Sequence, residues 1–256
     1  MPAHKTAPDQ RSRVLILGGT TEGYALAEAL AGHARWAPVS SLAGRTANPR
    51  PPAGEMRVGG FGGPEGLARW LAENGIAAVI DATHPFARQM GWNAATACDS
   101  TKVPLLRLER PKWVPGADDA WTLVPDWDTA MSALNRLGAR RVLLALGRQE
   151  VAPFAALEDV WFLVRSVQAP DPMPPFAQAE LLLARGPFSL DSETALLSER
   201  SIDTIVCKNS GGATESKLAA ARTLGVWVVM RDRPERPNTA TVASVAEAVA
   251  WLDGVG

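Results

Sequence analysis

Cysteine, histidine, tyrosine and lysine are all scarce in this chain of 256 residues: there are two Cys, three His, one Tyr and, among 26 basic residues, five Lys against 21 Arg. The two cysteines, Cys98 and Cys207, lie far apart and form no C-x-x-C, so neither a zinc site nor a disulfide framework is indicated. A reducing, cytoplasmic setting is expected. His4, His33 and His84 show no metal-ligand spacing and no Ser-His-Asp order, which leaves metal catalysis and nucleophilic hydrolysis without support. No apolar run approaches the roughly 18 to 20 residues of a membrane span. Residues 1–12 are polar and contain proline, and read as a flexible tail rather than a signal peptide. A formal net charge of −1 argues against a nucleic-acid or membrane-surface partner. The arginine excess suits carboxylate or phosphate recognition, although codon bias produces the same excess.

What the chain does contain is an apolar strand, Val14-Leu15-Ile16-Leu17, that runs into Gly18-Gly19-Thr20-Thr21-Glu22-Gly23 and then into a helix-forming segment, Tyr24 to Leu30. Glycines at such a turn let the backbone approach a phosphate, and the following helix points its unpaired N–H groups at the anion. The loop is G-G-x-x-x-G, a variant of the dinucleotide fingerprint G-x-G-x-x-G. It is not a P-loop, because Tyr24 and Ala25 stand where Lys and Ser/Thr are needed.

The next strand indicates which nucleotide. A fold that binds NAD places an Asp or Glu at the end of its second strand, to hold the ribose 2′-hydroxyl. Here Trp36 to Leu42 is followed by Ala43-Gly44-Arg45-Thr46, with no carboxylate but with Ser40, Ser41 and Arg45. Donors without a repelling charge favour NADP; the alternative is a solvated turn.

Strand-length apolar runs alternate with helix-period segments along the chain, the pattern of an α/β protein with parallel sheets. Strands are predicted at 14–17, 38–42, 55–58, 78–81, 104–108, 121–124, 141–146, 160–165, 204–208 and 226–230. Helices are predicted at 22–31, 64–74, 85–98, 127–137, 192–199, 213–224 and 242–251. Prolines and charges between Glu109 and Asp119 interrupt the pattern and mark a boundary. The expected organisation is a cofactor-binding Rossmann-like domain over 13–110, a second Rossmann-like domain facing the substrate over 111–256, and a cleft between them. The proline-rich segment 169–175 reads as a lid or a plain connection.

Ligands in such sheets bind beyond the carboxyl ends of the strands. One end carries Asp81-Ala82-Thr83-His84-Pro85-Phe86-Ala87, where His84 is placed to donate a proton, or where Thr83 and His84 cap a helix whose first turn contains Pro85. Another carries Lys208-Asn209-Ser210-Gly211-Gly212, a second glycine-containing turn with a cation beside it. Arg148, Arg165 and Arg231 lie at three more, and their convergence would suit a substrate with several carboxylates.

Together, Leu17 to Gly23, Asp81 to Ala87, Lys208 to Gly212 and the closing Val229-Met230-Arg231-Asp232-Arg233-Pro234 resemble the precorrin-6A reductase family of cobalamin biosynthesis, in order and spacing, from about Arg13 to Leu252. The resemblance implies NADPH-dependent reduction of one double bond of a tetrapyrrole macrocycle, giving precorrin-6B. It implies that Gly18, Gly19, Thr20, Thr21 and Glu22 line the pyrophosphate and nearby ribose, with Ser41 and Arg45 at the 2′-phosphate and Ser40 nearby. Thr83 and His84 would border the nicotinamide. Lys208, Asn209, Ser210 and Gly211 would face the substrate, Arg148, Arg165 and Arg231 would pair with its carboxylates, and His84 or Lys208 would donate a proton. Handover from neighbouring enzymes of the same pathway and a monomer or small homo-oligomer are further expectations. The alternatives are an NADP-dependent reductase of another small molecule, a methyltransferase using the glycine loop, and a non-catalytic NADP sensor.

Overall fold

Val14, Leu15, Ile16 and Leu17 are all buried, which a strand achieves only when helices cover both faces of its sheet. In the computed structural model, which describes residues 11–44, 50–212 and 214–255, they complete β1 (Ser12–Leu17). The chain continues through α1 (Thr21–Ala31), β2 (Trp36–Leu42), β3 (Glu55–Val58), α2 (Gly63–Glu73), β4 (Ile76–Asp81), α3 (Arg88–Thr101) and β5 (Leu105–Leu108). Successive strand residues point to opposite faces. Val14 and Ile16 therefore pack with Leu26, Ala27 and Leu30 of α1, while Leu15 and Leu17 pack with Leu67 and Leu71 of α2 and Ala94 and Ala97 of α3.

The pattern then restarts with β6 (Trp121–Val124), α4 (Trp127–Leu137), β7 (Arg141–Leu144), β8 (Trp161–Ser166), β9 (Ala179–Leu183), α5 (Leu190–Glu199), β10 (Thr204–Lys208), α6 (Ser216–Leu224) and β11 (Trp227–Arg231). Here Val142 and Leu144 meet Ala130, Ala133 and Leu134 of α4. Leu143 faces the other way, toward Leu197 of α5 and Leu218 and Ala221 of α6.

The last segment does not stay with this second unit. Residues 235–256 belong with 1–110, and the second unit is 111–234, so the expected domain of 111–256 is corrected at its C-terminal end. The cause is a short strand, β12 (Thr241–Val242), and a helix, α7 (Val245–Asp253). β12 pairs with β5 through Arg107 and Leu108, and Ala248 and Leu252 of α7 enter the core around β1 and α1. A capping box of Ser244 and Glu247 starts α7.

Both sheets are six-stranded, in the orders β12-β5-β4-β1-β2-β3 and β6-β11-β10-β7-β8-β9, and every pairing is parallel. In the first, β1 to β3 run outward one way and β4 and β5 the other, so the order reverses between β1 and β4. The second repeats this with β7 to β9 and then β10 and β11, reversing between β7 and β10. In each sheet the sixth place is taken by a strand from outside that run: β12 from the end of the chain, and β6 from before it. The carboxyl ends of β1, β4, β7 and β10 are thus the ligand positions that this topology provides.

Strands 55–58, 121–124 and 204–208 and helix 127–137 stand where expected. The helix expected from Pro85 starts instead at Arg88, with Ala87 as an N-cap that makes no side-chain bond, so Thr83 and His84 do not cap it. Of the expected tail, residues 1–10 lie outside the described residues. Ser12 already pairs with Trp36 in the sheet, and the Arg11 guanidinium donates to the carbonyls of Ala31, His33 and Trp36.

Leu252 is fully buried. Leu252→Ala should lower the stability of the first unit by about 2–5 kcal/mol, through lost transfer energy and a residual cavity. Urea unfolding of the full chain checks this, and a loss within experimental error would show that α7 does not close that core.

Candidate active site

At the end of β1 the backbone of Gly18 is held by donation of its N–H to Ser41 O at 3.0 Å. Gly19 has φ of +104°, and no atom lies within 4 Å of where its Cβ would stand. A left-handed residue with open space before it is what close backbone approach to a pyrophosphate requires. Thr20 caps α1 by accepting from Gly23 N at 3.1 Å and donates to Ala82 O at 2.7 Å. Its hydroxyl is therefore committed to tying the β1 loop to the end of β4. The first N–H groups of α1, at Thr21 and Glu22, have no carbonyl a turn below them and carry the positive end of the helix dipole. Glu22 would oppose an anion there, but its carboxylate is turned to Arg110 at 2.9 Å. The loop thus fits the phosphates of a dinucleotide.

Beside it, Asp81 ends β4 almost fully buried. One oxygen accepts from Thr83 N at 3.1 Å and Thr83 Oγ1 at 2.6 Å; the other is paired with Arg236 at 2.5 Å. The same guanidinium donates to the carbonyls of His84 and Pro85 at 3.3 and 3.2 Å. Arg236, which belongs to the returning C-terminal segment, therefore fixes the whole Asp81–Pro85 turn. His84 Nδ1 accepts from Phe86 N at 3.2 Å, so the neutral ring carries its proton on Nε2.

At the ends of β2 and β3, Ser40 is buried, and among the described residues its Oγ has no partner. Ser41, on the opposite face, accepts from Arg57 Nη1 at 2.7 Å. Arg57 is a cation that reading the sequence did not single out. Its guanidinium lies 3.8 Å from the Phe61 ring centre, and burial holds its pKa below the ordinary arginine value. Arg45, expected at the 2′-phosphate, lies outside the described residues.

In the second unit, Lys208 ends β10 and pairs with Glu150, whose other oxygen is 3.5 Å from Arg231 Nη1. Glu150 follows β7, so this carboxylate between two cations stands at the second sheet's own reversal point. Sequence reading passed over it as well. Arg148 is exposed and, with Gln149, Met173 and the prolines of the 170–175 segment, lines a cavity of about 520 Å³.

Three residues expected to touch substrate are otherwise engaged. Asn209 is 2% exposed; its Oδ1 accepts from Trp113 N at 2.9 Å and its Nδ2 donates to Trp113 O at 3.0 Å. Gly211 has φ of +67°, and a Cβ there would come within 2.1 Å of Pro111 O, so it is glycine for packing. Arg165 is buried against Glu193 at 2.9 Å and stacks over Phe188 at 4.4 Å. All three are thus committed to structural contacts within the second unit. Ser210 remains half-buried in this loop, its carbonyl 3.3 Å from Arg233 Nη2. Neither cysteine is a reactive thiol: burial and the charge of Asp81 push Cys98 up to about 12, and burial raises Cys207.

A family model described as Precorrin-6x reductase CbiJ/CobK matches residues 13–253. A precorrin-6A reductase of Rhodococcus erythropolis is 49% identical over 244 residues, covering 94% of this chain and 97% of the relative. Another, of Sinorhizobium sp., is 47% identical over 247 residues, covering 95% and 94%. The solved structure of a CobK precorrin-6A reductase superimposes with a TM-score of 0.89 at 42% identity, covering 96% of this chain and 97% of that one. Among the described residues, no helix is long and apolar enough to cross a membrane.

Arg236→Ala would remove the hydrogen-bonded cation from the buried Asp81 carboxylate and leave it only the neighbouring charge of Arg107, and should cost about 3 kcal/mol. Arg236→Lys should recover only part, because one ammonium cannot span Asp81 and two carbonyls. Chemical unfolding measures both, and full recovery by lysine would refute the bridging role. Arg165→Ala should likewise lower stability, by a similar amount, while leaving the substrate KM of the folded fraction within about twofold. A selective rise in KM would restore Arg165 to the substrate site.

Proposed function

The chain belongs to the precorrin-6x reductase family, and from that premise we propose how its own residues carry out the reaction: NADPH-dependent reduction of precorrin-6A to precorrin-6B in cobalamin biosynthesis. The enzyme is an oxidoreductase that reduces a C=C bond of the precorrin macrocycle. The observation that carries the reading of the site is the open, left-handed Gly19 at the N-terminus of α1, at the reversal point of the first sheet. When bound, NADPH supplies the hydride, and the overall reduction also needs one proton at the adjoining macrocycle carbon.

In this reading the N–H groups at Gly19, Thr21 and Glu22 receive the pyrophosphate, with Gly18 and Thr20 shaping the loop. Ser41 and, from its place in the sequence alone, Arg45 are assigned to the 2′-phosphate, and the absence of a carboxylate from Pro38 to Thr46 removes the feature that would favour NADH. Thr83 and His84, held by Asp81 and Arg236, border the nicotinamide. Lys208, Ser210, Arg231 and Arg148 supply positive charge and a hydroxyl for a substrate that carries peripheral carboxylates. The proton comes from the Lys208 ammonium or, once its ring is protonated to the imidazolium, from His84 Nε2, directly or through water. Hydride transfer asks a protein mainly to hold donor and acceptor in line, which accords with a site rich in positioning bonds and poor in nucleophiles. A cytoplasmic enzyme that receives its substrate from neighbouring enzymes is consistent with this chemistry.

The defining test is an anaerobic incubation with enzymatically made precorrin-6A, following dihydronicotinamide oxidation together with the macrocycle spectrum. Stoichiometric oxidation with a macrocycle shift is expected with NADPH. Binding without oxidation would instead indicate a sensor. Substituting His84→Asn and Lys208→Ala together should slow turnover by about 10²–10⁴-fold at saturating cofactor if either is the general acid. Retention of turnover within a few-fold would assign the proton to solvent.

A further inference from the structure

We propose that Arg57 reads the 2′-phosphate of NADPH and so sets cofactor choice, an inference that rests on NADPH being the hydride donor. Strand register places Arg57 at the carboxyl end of the first sheet's strands. β3 lies beside β2, and Arg57 stands opposite Ser41, next to the strand end where dinucleotide folds meet the ribose 2′ substituent. Its Nη1 donates to Ser41 Oγ at 2.7 Å and Gly59 O at 3.0 Å, and its Nη2 to Gly60 O at 3.0 Å. These bonds use three of the five N–H groups of a guanidinium and leave two for a ligand.

Charge supplies the second part. Among the described residues no carboxylate pairs with Arg57; Glu55, the acid on its own strand, is taken by Arg13. The guanidinium lies over Phe61 at 3.8 Å and near Trp70 at 5.5 Å, so part of its water has been replaced by aromatic faces. Burial accordingly holds its pKa below the usual value, with no acid raising it. A cation that has lost water without gaining an anion is poised for one. A 2′-phosphate dianion meets that need and a 2′-hydroxyl does not.

Rigidity supplies the third. The carbonyls of Gly59 and Gly60 and the two rings hold the side chain in place before any ligand arrives, so little rotamer freedom is lost on binding. The same contacts would also make Arg57 a mere brace for the 59–61 loop, and the experiment must separate the two roles.

The separation is made by measuring NADPH and NADH affinities, by calorimetry or tryptophan fluorescence, for the full-length wild type, Arg57→Met and Arg57→Lys, with 2′,5′-ADP and 5′-ADP as competing probes. Methionine keeps an apolar chain on Phe61 and removes the charge. NADPH and 2′,5′-ADP should weaken by about 10- to 100-fold in Arg57→Met, with NADH and 5′-ADP within about threefold. Arg57→Lys should fall between. Equal weakening of both cofactors would make Arg57 a brace and overturn the inference, as would NADPH selectivity that survives in Arg57→Met. If the wild type itself binds NADPH no better than NADH, the NADPH reading fails and the inference with it. Thermal melts of each variant show whether the loop has unfolded, and Arg57→Lys then provides the decisive comparison.

Discussion

In a sheet whose strands all run the same way, no strand can be reached by a hairpin, and each is entered through a crossover that covers one of its faces. That constraint shapes both units of this chain. It forces near-continuous apolar strands such as Val14–Leu17 and Val142–Leu144, because both faces are covered. Within each sheet it also gathers the loops that follow the strands along one edge, the glycine turn after β1 in the first sheet and the lysine turn after β10 in the second. The sixth strand of each sheet obeys the same rule from an unexpected direction, β12 arriving from the far end of the chain and β6 from ahead of its own run.

Parallel strand ends need their loops held, and buried polar groups do the holding. Thr20 ties the β1 loop to Ala82, Arg236 ties Asp81 to the turn after it, and Asn209 exchanges two hydrogen bonds with the backbone of Trp113. Each of these groups lies out of water and would be costly there without its partner. Breaking one is therefore felt as misplacement of a strand end as well as lost stability. Arg165 and Glu193 belong to the same economy, a buried charge pair whose removal exposes no ligand surface.

Much of this was legible in the sequence, and the remainder was hidden for identifiable reasons. The central strands of the first sheet, β1 and β4, were readable because burial on both faces makes them largely apolar. β9 was not, because Ala179–Leu183 sits at a sheet edge with alternating exposure, and β12 is too short to show a period. The glycine turn, Thr83–His84 and Lys208 could be placed at strand ends by sequence order alone. Glu150, Arg57 and Arg236 could not. Each acts through a partner distant in sequence, Lys208, Ser41 and Asp81 respectively, and a single charged residue on a loop or strand end carries no sign of such a partner. Asn209 and Arg165, expected at the substrate, are buried on internal partners, which their sequence does not announce: polar residues at strand ends look alike whether they face inward or outward.

These internal commitments bear on the chemistry. A reaction in which hydride and proton are delivered to adjoining carbons depends on registration more than on reactive side chains, and an error of about 1 Å can cost on the order of a hundredfold in rate. The strand ends here carry few groups able to react and many that fix position: a capping hydroxyl, a bridging guanidinium, and an amide locked on a backbone. Lys208 and Arg231 fit the same logic, because Glu150 holds both cations at the end of the second sheet. On the proposed reading, a substrate carboxylate that engages them must compete with this internal one, which favours a ligand offering several carboxylates over one offering a single group. On that reading, positional demand and charge demand would be met by one ligand, a rigid macrocycle that carries several carboxylates.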